Sequence, residues 1–211
     1  MVQLFKVSDL CDFDRRIHRE GFSSIAGVDE AGRGPWAGPV VAAAVVMPQD
    51  AVIEGVNDSK KLTPQRREKI YPQIISSCTD YAVGVVSHET IDTINILNAT
   101  KHAVQHAVRG LIVSVDLSIV DGNMYLDGFL TSYRSYVGGD SLSFSIACAS
   151  IIAKVTRDRM MIKFDRQYPG WGFAAHKGYG TALHREAISI LGISPIHRVS
   201  FQPMKGLVCA N

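Results

Sequence analysis

Two apolar runs, Ile25 to Val28 and Val40 to Met47, flank the passage that most constrains this chain: Asp29-Glu-Ala-Gly-Arg-Gly-Pro-Trp-Ala-Gly-Pro39. Pro35 and Pro39 lack backbone donors, and the run after them is rich in valine and alanine, so the passage reads as strand, loop, strand. The first strand delivers adjacent carboxylates, Asp29 and Glu30, to its end. Gly32 and Gly34 allow the main chain to approach a ligand without Cβ interference. Arg33 between them offers a planar donor fork suited to phosphate. Acids that suit a hard cation, beside such a turn, point to metal-dependent chemistry on a phosphate ester. The letters Gly32-x-Gly34-x-x-Ala37 also satisfy the dinucleotide fingerprint. That motif needs a helix opening inside it, and the prolines and following strand argue against one. A hairpin with a charged tip is the plain alternative, and it requires fewer special residues than are present.

The chain has 211 residues, 46% hydrophobic and 20% charged, which is enough for one sizeable core. A net charge of +2 demands no polyanionic partner and leaves room for a local basic groove. The four cysteines, Cys11, Cys78, Cys148 and Cys209, include no C-x-x-C pair, which suits reduced cytosolic thiols better than a zinc site or disulfide framework. No signal-peptide pattern is present, and no apolar run approaches the ~18 residues of a membrane span. A cytoplasmic protein is expected.

Leu10, Phe13 and Ile17 give helical spacing to Asp9–Glu20. Thr63 and Pro64 mark a helix start, predicting a helix over Gln65–Tyr71. Before it, Lys60 and Lys61 are candidates for phosphate contact, although a solvated lysine pair is the commoner outcome. Tyr81–Ser87 reads as a third strand. A helix from Thr90 to Gly110 carries Ile94, Leu97, Lys101, Val104 and Val108 along one side. His102 and His106 on it lack the glutamate of a zinc motif and read as surface histidines. Leu117–Gly122 is a fourth strand ending in Asp121, and Tyr133–Val137 a fifth, followed by Gly138-Gly-Asp140. Ser145 to Asp158 begins a buried helix running towards Tyr168, with Ala147, Ala149 and Ala153 allowing close packing and Lys154–Asp158 as an i,i+4 ion pair. Ala174–Gly180 is a glycine-rich loop, Thr181 caps a helix through Leu191, and Ser194–Phe201 leads into a tail. One domain over 1–211 is expected, with a core at roughly 22–168 and a helical C-terminal region at 169–211.

Asp29, Glu30, Asp121 and Asp140 all fall at breaks in regular structure. Gathered without a cation they would repel and raise one another's pKa. Divalent ions would neutralise them, and the oxygen-only donor set selects Mg²⁺ or Mn²⁺ over zinc. Neighbours in a regular strand point to opposite faces, so Asp29 and Glu30 share a site only if the strand ends or twists there. Asp158, partnered by Lys154, is the structural competitor.

Val28-Asp-Glu-Ala-Gly-Arg-Gly-Pro-x-Ala-Gly-Pro-Val40, Asp58-Ser-Lys-Lys-Leu62, Val120-Asp-Gly122, Gly139-Asp140, Ala149-Ser-Ile-Ile-Ala-Lys-Val-Thr-Arg-Asp158, His176-Lys-Gly-Tyr-Gly-Thr181 and Ser194-Pro-x-His-Arg-x-Ser-Phe201 together resemble bacterial ribonuclease HII. The blocks stand in that family's order from Ile25 to Phe201. The resemblance implies an α/β, RNase H-like fold: a five-stranded mixed β-sheet flanked by helices, with a helical C-terminal extension. It implies an endoribonuclease that cuts the RNA strand of RNA–DNA hybrids and incises 5′ to single ribonucleotides embedded in duplex DNA. Two-metal-ion hydrolysis with Mn²⁺ or Mg²⁺ would leave 3′-hydroxyl and 5′-phosphate ends. By the same resemblance Asp29, Glu30, Asp121 and Asp140 are catalytic metal ligands. Gly32, Arg33 and Gly34 would sense the ribose 2′-hydroxyl and its phosphate, Tyr179 would stack on the sugar at the RNA–DNA junction, and Lys60 and Lys154 would contact phosphates. Trp36 and Gly138 depart from the family's usual residues. A monomer acting on nucleic acid, away from membranes, is expected. A nuclease acting on DNA junctions, or a non-catalytic nucleic-acid-binding module, would be the rival reading.

Overall fold

The computed structural model describes residues 7–56 and 62–208. Five strands form one mixed sheet: β1 (Ile25–Ala31), β2 (Val40–Val46), β3 (Asp80–Val86), β4 (Leu117–Asp121) and β5 (Ser132–Tyr136), in the order β3-β2-β1-β4-β5. β1 pairs antiparallel with β2 and parallel with β4, β2 pairs antiparallel with β3, and β4 pairs parallel with β5. Every residue of β2 is buried, as a central strand covered on both faces requires.

The two faces follow from the alternation of side chains along β2. Ala43 and Val45 face a cluster built with α4 (Phe144–Gln167), which includes Ala147, Cys148, Ile151 and Ile152. Helices α1 (Val7–Arg19) and α2 (Pro64–Ser77) complete that layer through Leu10, Ile70 and Ile74. Val40, Ala42 and Ala44 face the opposite cluster, with Ala99, Ala103, Val104 and Ala107 of α3 (His88–Arg109). Small residues here let the helices lie close to the sheet. At Gly27 of β1 the approach is extreme: a Cβ there would stand 2.2 Å from the carbonyl carbon of Ser145 in α4.

Several boundaries differ from the sequence reading, each for a local reason. Helix α2 continues through Pro72 to Ser77, because Ile70 and Ile74 are both buried and hold the turn that the proline weakens. Helix α3 is broken at Asn95, whose φ of 66° and ψ of 164° are not helical. The break shifts the helical phase, so Leu97 is exposed while Ala99, Thr100 and Ala103 are buried. β1 runs on to Ala31, so Asp29 and Glu30 lie inside its last turn of pleat. Ser87 is the N-cap of α3, accepting a hydrogen bond from Thr90 N. The stretch read as a glycine-rich loop from Ala174 opens with a short helix, α5 (Phe173–His176), and the segment after α6 (Ala182–Leu191) is no tail: Ile196, His197 and Arg198 are buried, and only then does α7 (Met204–Val208) begin.

Gly27→Ala forces β1 and α4 apart, and overpacking at so rigid a backbone contact costs on the order of 2–3 kcal/mol. The urea midpoint should fall accordingly. An unchanged midpoint would show that α4 can move away freely.

Candidate active site

Parallel pairing of β1 with β4 runs through Val28 and Val120, so Asp29 and Asp121 come next on neighbouring strands. Asp121 Oδ1 accepts a hydrogen bond of 2.6 Å from Gly139 N, which fastens the 3₁₀ turn Gly139–Ser141, and with it buried Asp140, to the end of β4. Asp29 is buried, its Oδ1 accepting from Glu30 N at 2.7 Å and its Oδ2 lying 3.8 Å from Lys154 Nζ. Lys154 donates at 2.6 Å to Ser150 Oγ, so it does not form the expected pair with Asp158. Asp158 lies 3.5 Å from Arg67 instead. The reason is the helix surface: Lys154 faces the acids of β1, while Asp158 one turn on faces α2.

Burial pushes the Asp29 carboxyl up to about 8, and the charges of Glu30 and Asp121 act in the same sense, against the opposing pull of Lys154. Burial likewise raises Glu30, with Arg33 pulling the other way. Glu30 Oε1 accepts from Arg33 Nη1 at 3.2 Å, whereas its buried Oε2 has no hydrogen-bond donor. Among the described residues no three His, Cys, Asp or Glu side chains stand close enough to form a ready cage for a metal ion. The donor chemistry nonetheless fits a hard divalent cation: oxygen ligands only, one of them orphaned, and a carboxylate whose charge is otherwise opposed by its surroundings.

The turn after β1 is held from within by two guanidinium groups. Arg157 of α4 donates to Pro39 O, Lys177 O and Ala37 O at 2.9, 3.0 and 3.1 Å. Arg198 donates to Gly38 O at 3.0 Å, to Arg33 O at 3.0 Å, to Gly32 O at 2.6 Å and to Pro39 O at 3.2 Å. Both side chains are buried. Burial lowers Arg157 to about 10, and burial plus the Arg157 charge lowers Arg198 to about 9, so both stay charged at neutral pH. A trans peptide places its C=O and N–H on opposite sides. With the carbonyls of Gly32 and Arg33 drawn inward, the amides of Arg33 and Gly34 therefore face outward. Gly32 itself has a φ of 95°, and a Cβ on it would meet Arg157 Nε at 2.1 Å, so only glycine fits.

Those amides border a cavity of about 630 Å³ lined by Glu30, Gly32, Arg33, Gly34, Lys154, Arg157 and Tyr179, among others. Tyr179 is half exposed; a Cβ on Gly34 would stand 3.8 Å from its ring, and the Arg157 guanidinium lies 6.0 Å from the ring centre. Asp29, Asp121 and Asp140 are not among the lining residues. The site thus joins the cavity through Glu30. Lys60 lies outside the described residues. No helix opens inside Gly32–Ala37, which removes the dinucleotide reading.

Arg157 and Arg198 carry no role in the sequence reading. For Arg157 a signal existed: it follows Ala149 and Ala153 at four-residue steps, on the face of α4 chosen for close packing. For Arg198 the signal was its place in the block Ser194-Pro-x-His-Arg-x-Ser-Phe201, which matched the family without suggesting what the arginine does.

A family model described as Ribonuclease HII matches residues 26–204. The chain is 52% identical to a ribonuclease HII of Acetivibrio thermocellus over 199 residues, covering 94% of this chain and 77% of that protein. It is 48% identical to a ribonuclease HII of Endomicrobium trichonymphae over 201 residues, covering 95% and 96%. The fold is similar to the crystal structure of ribonuclease H2 from Pyrococcus horikoshii OT3, with a TM-score of 0.74, 28% identity and coverage of 87% and 96%. Bst-RNase HIII in complex with Mn²⁺ shares the fold, at a TM-score of 0.68 and 20% identity, covering 89% of this chain and 70% of that one.

A raised carboxyl pKa makes the native state hold a proton that the unfolded chain has lost, so its contribution to stability falls as pH rises from about 4 to about 8. Without divalent ions, Asp29→Asn should therefore be more stable than wild type, the gap widening across that window to at least about 1 kcal/mol at pH 8. Added Mn²⁺ or Mg²⁺ should raise the melting temperature of wild type and not of the variant. A pH-independent gap, or equal responses to the ions, would contradict the assignment.

Proposed function

The chain belongs to the ribonuclease HII family and is a ribonuclease H enzyme; from that premise we propose that it cuts the RNA strand of RNA–DNA hybrids and incises duplex DNA 5′ to a single embedded ribonucleotide. The observation that carries this reading is the outward-facing pair of amides at Arg33 and Gly34, within reach of the Tyr179 ring, at the mouth of a cavity that ends on Glu30.

The 2′-hydroxyl is what separates RNA from DNA at one nucleotide. A backbone amide can donate to it, and carries no side chain to lengthen or swing away. In this reading the amides of Arg33 and Gly34 donate to the 2′-oxygen and the adjoining phosphate, and Arg33 adds a phosphate contact from its exposed fork. The half-exposed Tyr179 ring stacks on the sugar across the RNA–DNA junction. Lys154, between Ser150 and Asp29, neutralises the phosphate that enters beside the acids, and Lys60 is the second lysine read as a phosphate contact.

Asp29, Glu30, Asp121 and Asp140 are the residues that would hold Mn²⁺ or Mg²⁺, two of which would supply an activated water and stabilise the leaving 3′-oxygen. The donor set supports that, being all oxygen and short of counter-charge. The products would be 3′-hydroxyl and 5′-phosphate ends. A single catalytic domain suits the reaction: residues 22–168 supply the acids and the turn, while 169–211 bring Tyr179 to them. Action as a monomer is part of the same reading. The free thiols of Cys11, Cys78 and Cys148 suit a cytoplasmic role in ribonucleotide excision.

A duplex DNA with one ribonucleotide, incubated with Mg²⁺ or Mn²⁺, should be nicked 5′ to that nucleotide. Asp121→Asn should lose about 10²–10³-fold in rate, as expected when one preorganised electrostatic group is removed. Tyr179→Ala should lose roughly ten- to hundredfold, as for a lost stacking contact. Cleavage of long hybrids without incision at the single ribonucleotide would remove the junction-sensing role. Binding of the duplex with no cleavage under either metal would favour a non-catalytic module.

A further inference from the structure

His197 and Arg198 sit side by side between two turns, on a segment whose main chain is stitched to the loop after the turn that follows β1. Gly38 N donates to Ile196 O at 2.9 Å, Arg198 N donates to Trp36 O at 2.8 Å, and Ala37 bridges His197. Arg198 reaches the carbonyls of Gly32 and Arg33, as described above. His197, only 2% exposed, points the other way, towards α6.

There it begins a chain of hydrogen bonds whose direction is fixed by its first member. Ser194 N lies 2.7 Å from His197 Nδ1, and an amide can only donate, so Nδ1 accepts. The His197 proton is then on Nε2, which lies 3.0 Å from His184 Nε2 and donates to it. His184 must in turn carry its proton on Nδ1, which donates at 3.0 Å to Tyr179 O. Each ring is neutral, and each nitrogen has one role. The His176 ring stacks on His184 at 4.1 Å between centroids with an interplanar angle of 17°, accepting from Gly178 N at 3.1 Å. Apolar residues could fill the same volume with no hydrogen-bonding demands. A directional chain ending on one carbonyl does something that packing cannot: it fixes where that peptide lies.

We propose that His197, acting through His184, is a positioning residue for Tyr179. Its neighbour Arg198 ties the same segment to the Gly32–Gly34 turn, so that one dipeptide sets the gap in which the sugar is read. The inference rests on the reading of Tyr179 as the group that stacks on that sugar.

The test is a double-mutant cycle on a duplex carrying one ribonucleotide, with kcat and KM measured separately. His197→Leu breaks the chain, while His197→Gln keeps a donor that can reach His184. With Tyr179 in place, His197→Leu should lower kcat/KM about tenfold and His197→Gln should recover most of that loss, as expected of about 1.4 kcal/mol in positioning. In the Tyr179→Ala background, either substitution should change kcat/KM by less than about twofold. Equal losses with and without Tyr179 would overturn the proposal and leave His197 a core residue. If His197→Leu does not fold, the same comparison is made with His197→Gln and His184→Gln, and a loss independent of Tyr179 overturns it equally. If Tyr179→Ala alone leaves kcat/KM within twofold of wild type, the stacking role falls, and this inference falls with it; the cycle tells that result apart from additive losses.

Discussion

The site depends on burying two positive charges that, among the described residues, meet backbone carbonyls and no carboxylate. Arg157 comes from α4 and Arg198 from the segment after α6, yet both aim their guanidinium groups at carbonyls of residues 32–39. Burying a cation is costly unless its donors are satisfied. Hydrogen bonds to charged groups are worth roughly 1.5–3 kcal/mol each, so several carbonyls together can hold such a charge inside. The consequence is directional. Carbonyls that turn inward to meet the arginines leave the opposite edges of their peptides facing the cavity. A loop of glycines and prolines, which alone would sample many shapes, thereby presents one.

Around this loop the charges divide by element. Strand ends supply acids, because β1 and β4 run parallel and stop at the same edge of the sheet. Helix α4 supplies the opposing cations, with Lys154 set against Asp29 and Arg157 beneath the turn. Burial raises the Asp29 and Glu30 carboxyls against the pull of Lys154 and Arg33, and a divalent cation would relieve that cost of ionising them. Close packing of α4 over Gly27 matters for the same reason. It fixes the distance between the helix that carries the cations and the strand that carries the acids.

Much of this was legible in the chain. Apolar runs mark β1, β2 and β4, since covered strands need continuous valine, isoleucine and alanine, and the N-caps Thr63 and Thr181 mark helix starts. Asp121 could be found because it ends an apolar run, and Tyr179 because glycines flank it. Other features were hidden. The break at Asn95 leaves no glycine or proline in the sequence, and Pro72 suggests a helix end that burial of Ile74 overrides. The Lys154–Asp158 spacing is right for an ion pair on an isolated helix, but each residue has a nearer partner in three dimensions.

The sequence by itself therefore determined the mixed sheet, the adjacent acids, the glycine–arginine–glycine turn and the family to which they belong. The acids and the turn rest on local rules, namely side-chain periodicity, the φ of proline and the absence of Cβ at glycine, whereas the mixed sheet and the family rest on the resemblance of whole motif blocks. Only the tertiary structure decided which way the turn's peptides face, and that Arg157, His184, His197 and Arg198 serve it. The two arginines find backbone carbonyls far away along the chain, for Arg198 as many as 166 residues distant, while the two histidines find each other across 13 residues. A backbone carbonyl looks the same at every position in a sequence, so a side chain that recognises one leaves no mark until the chain has folded.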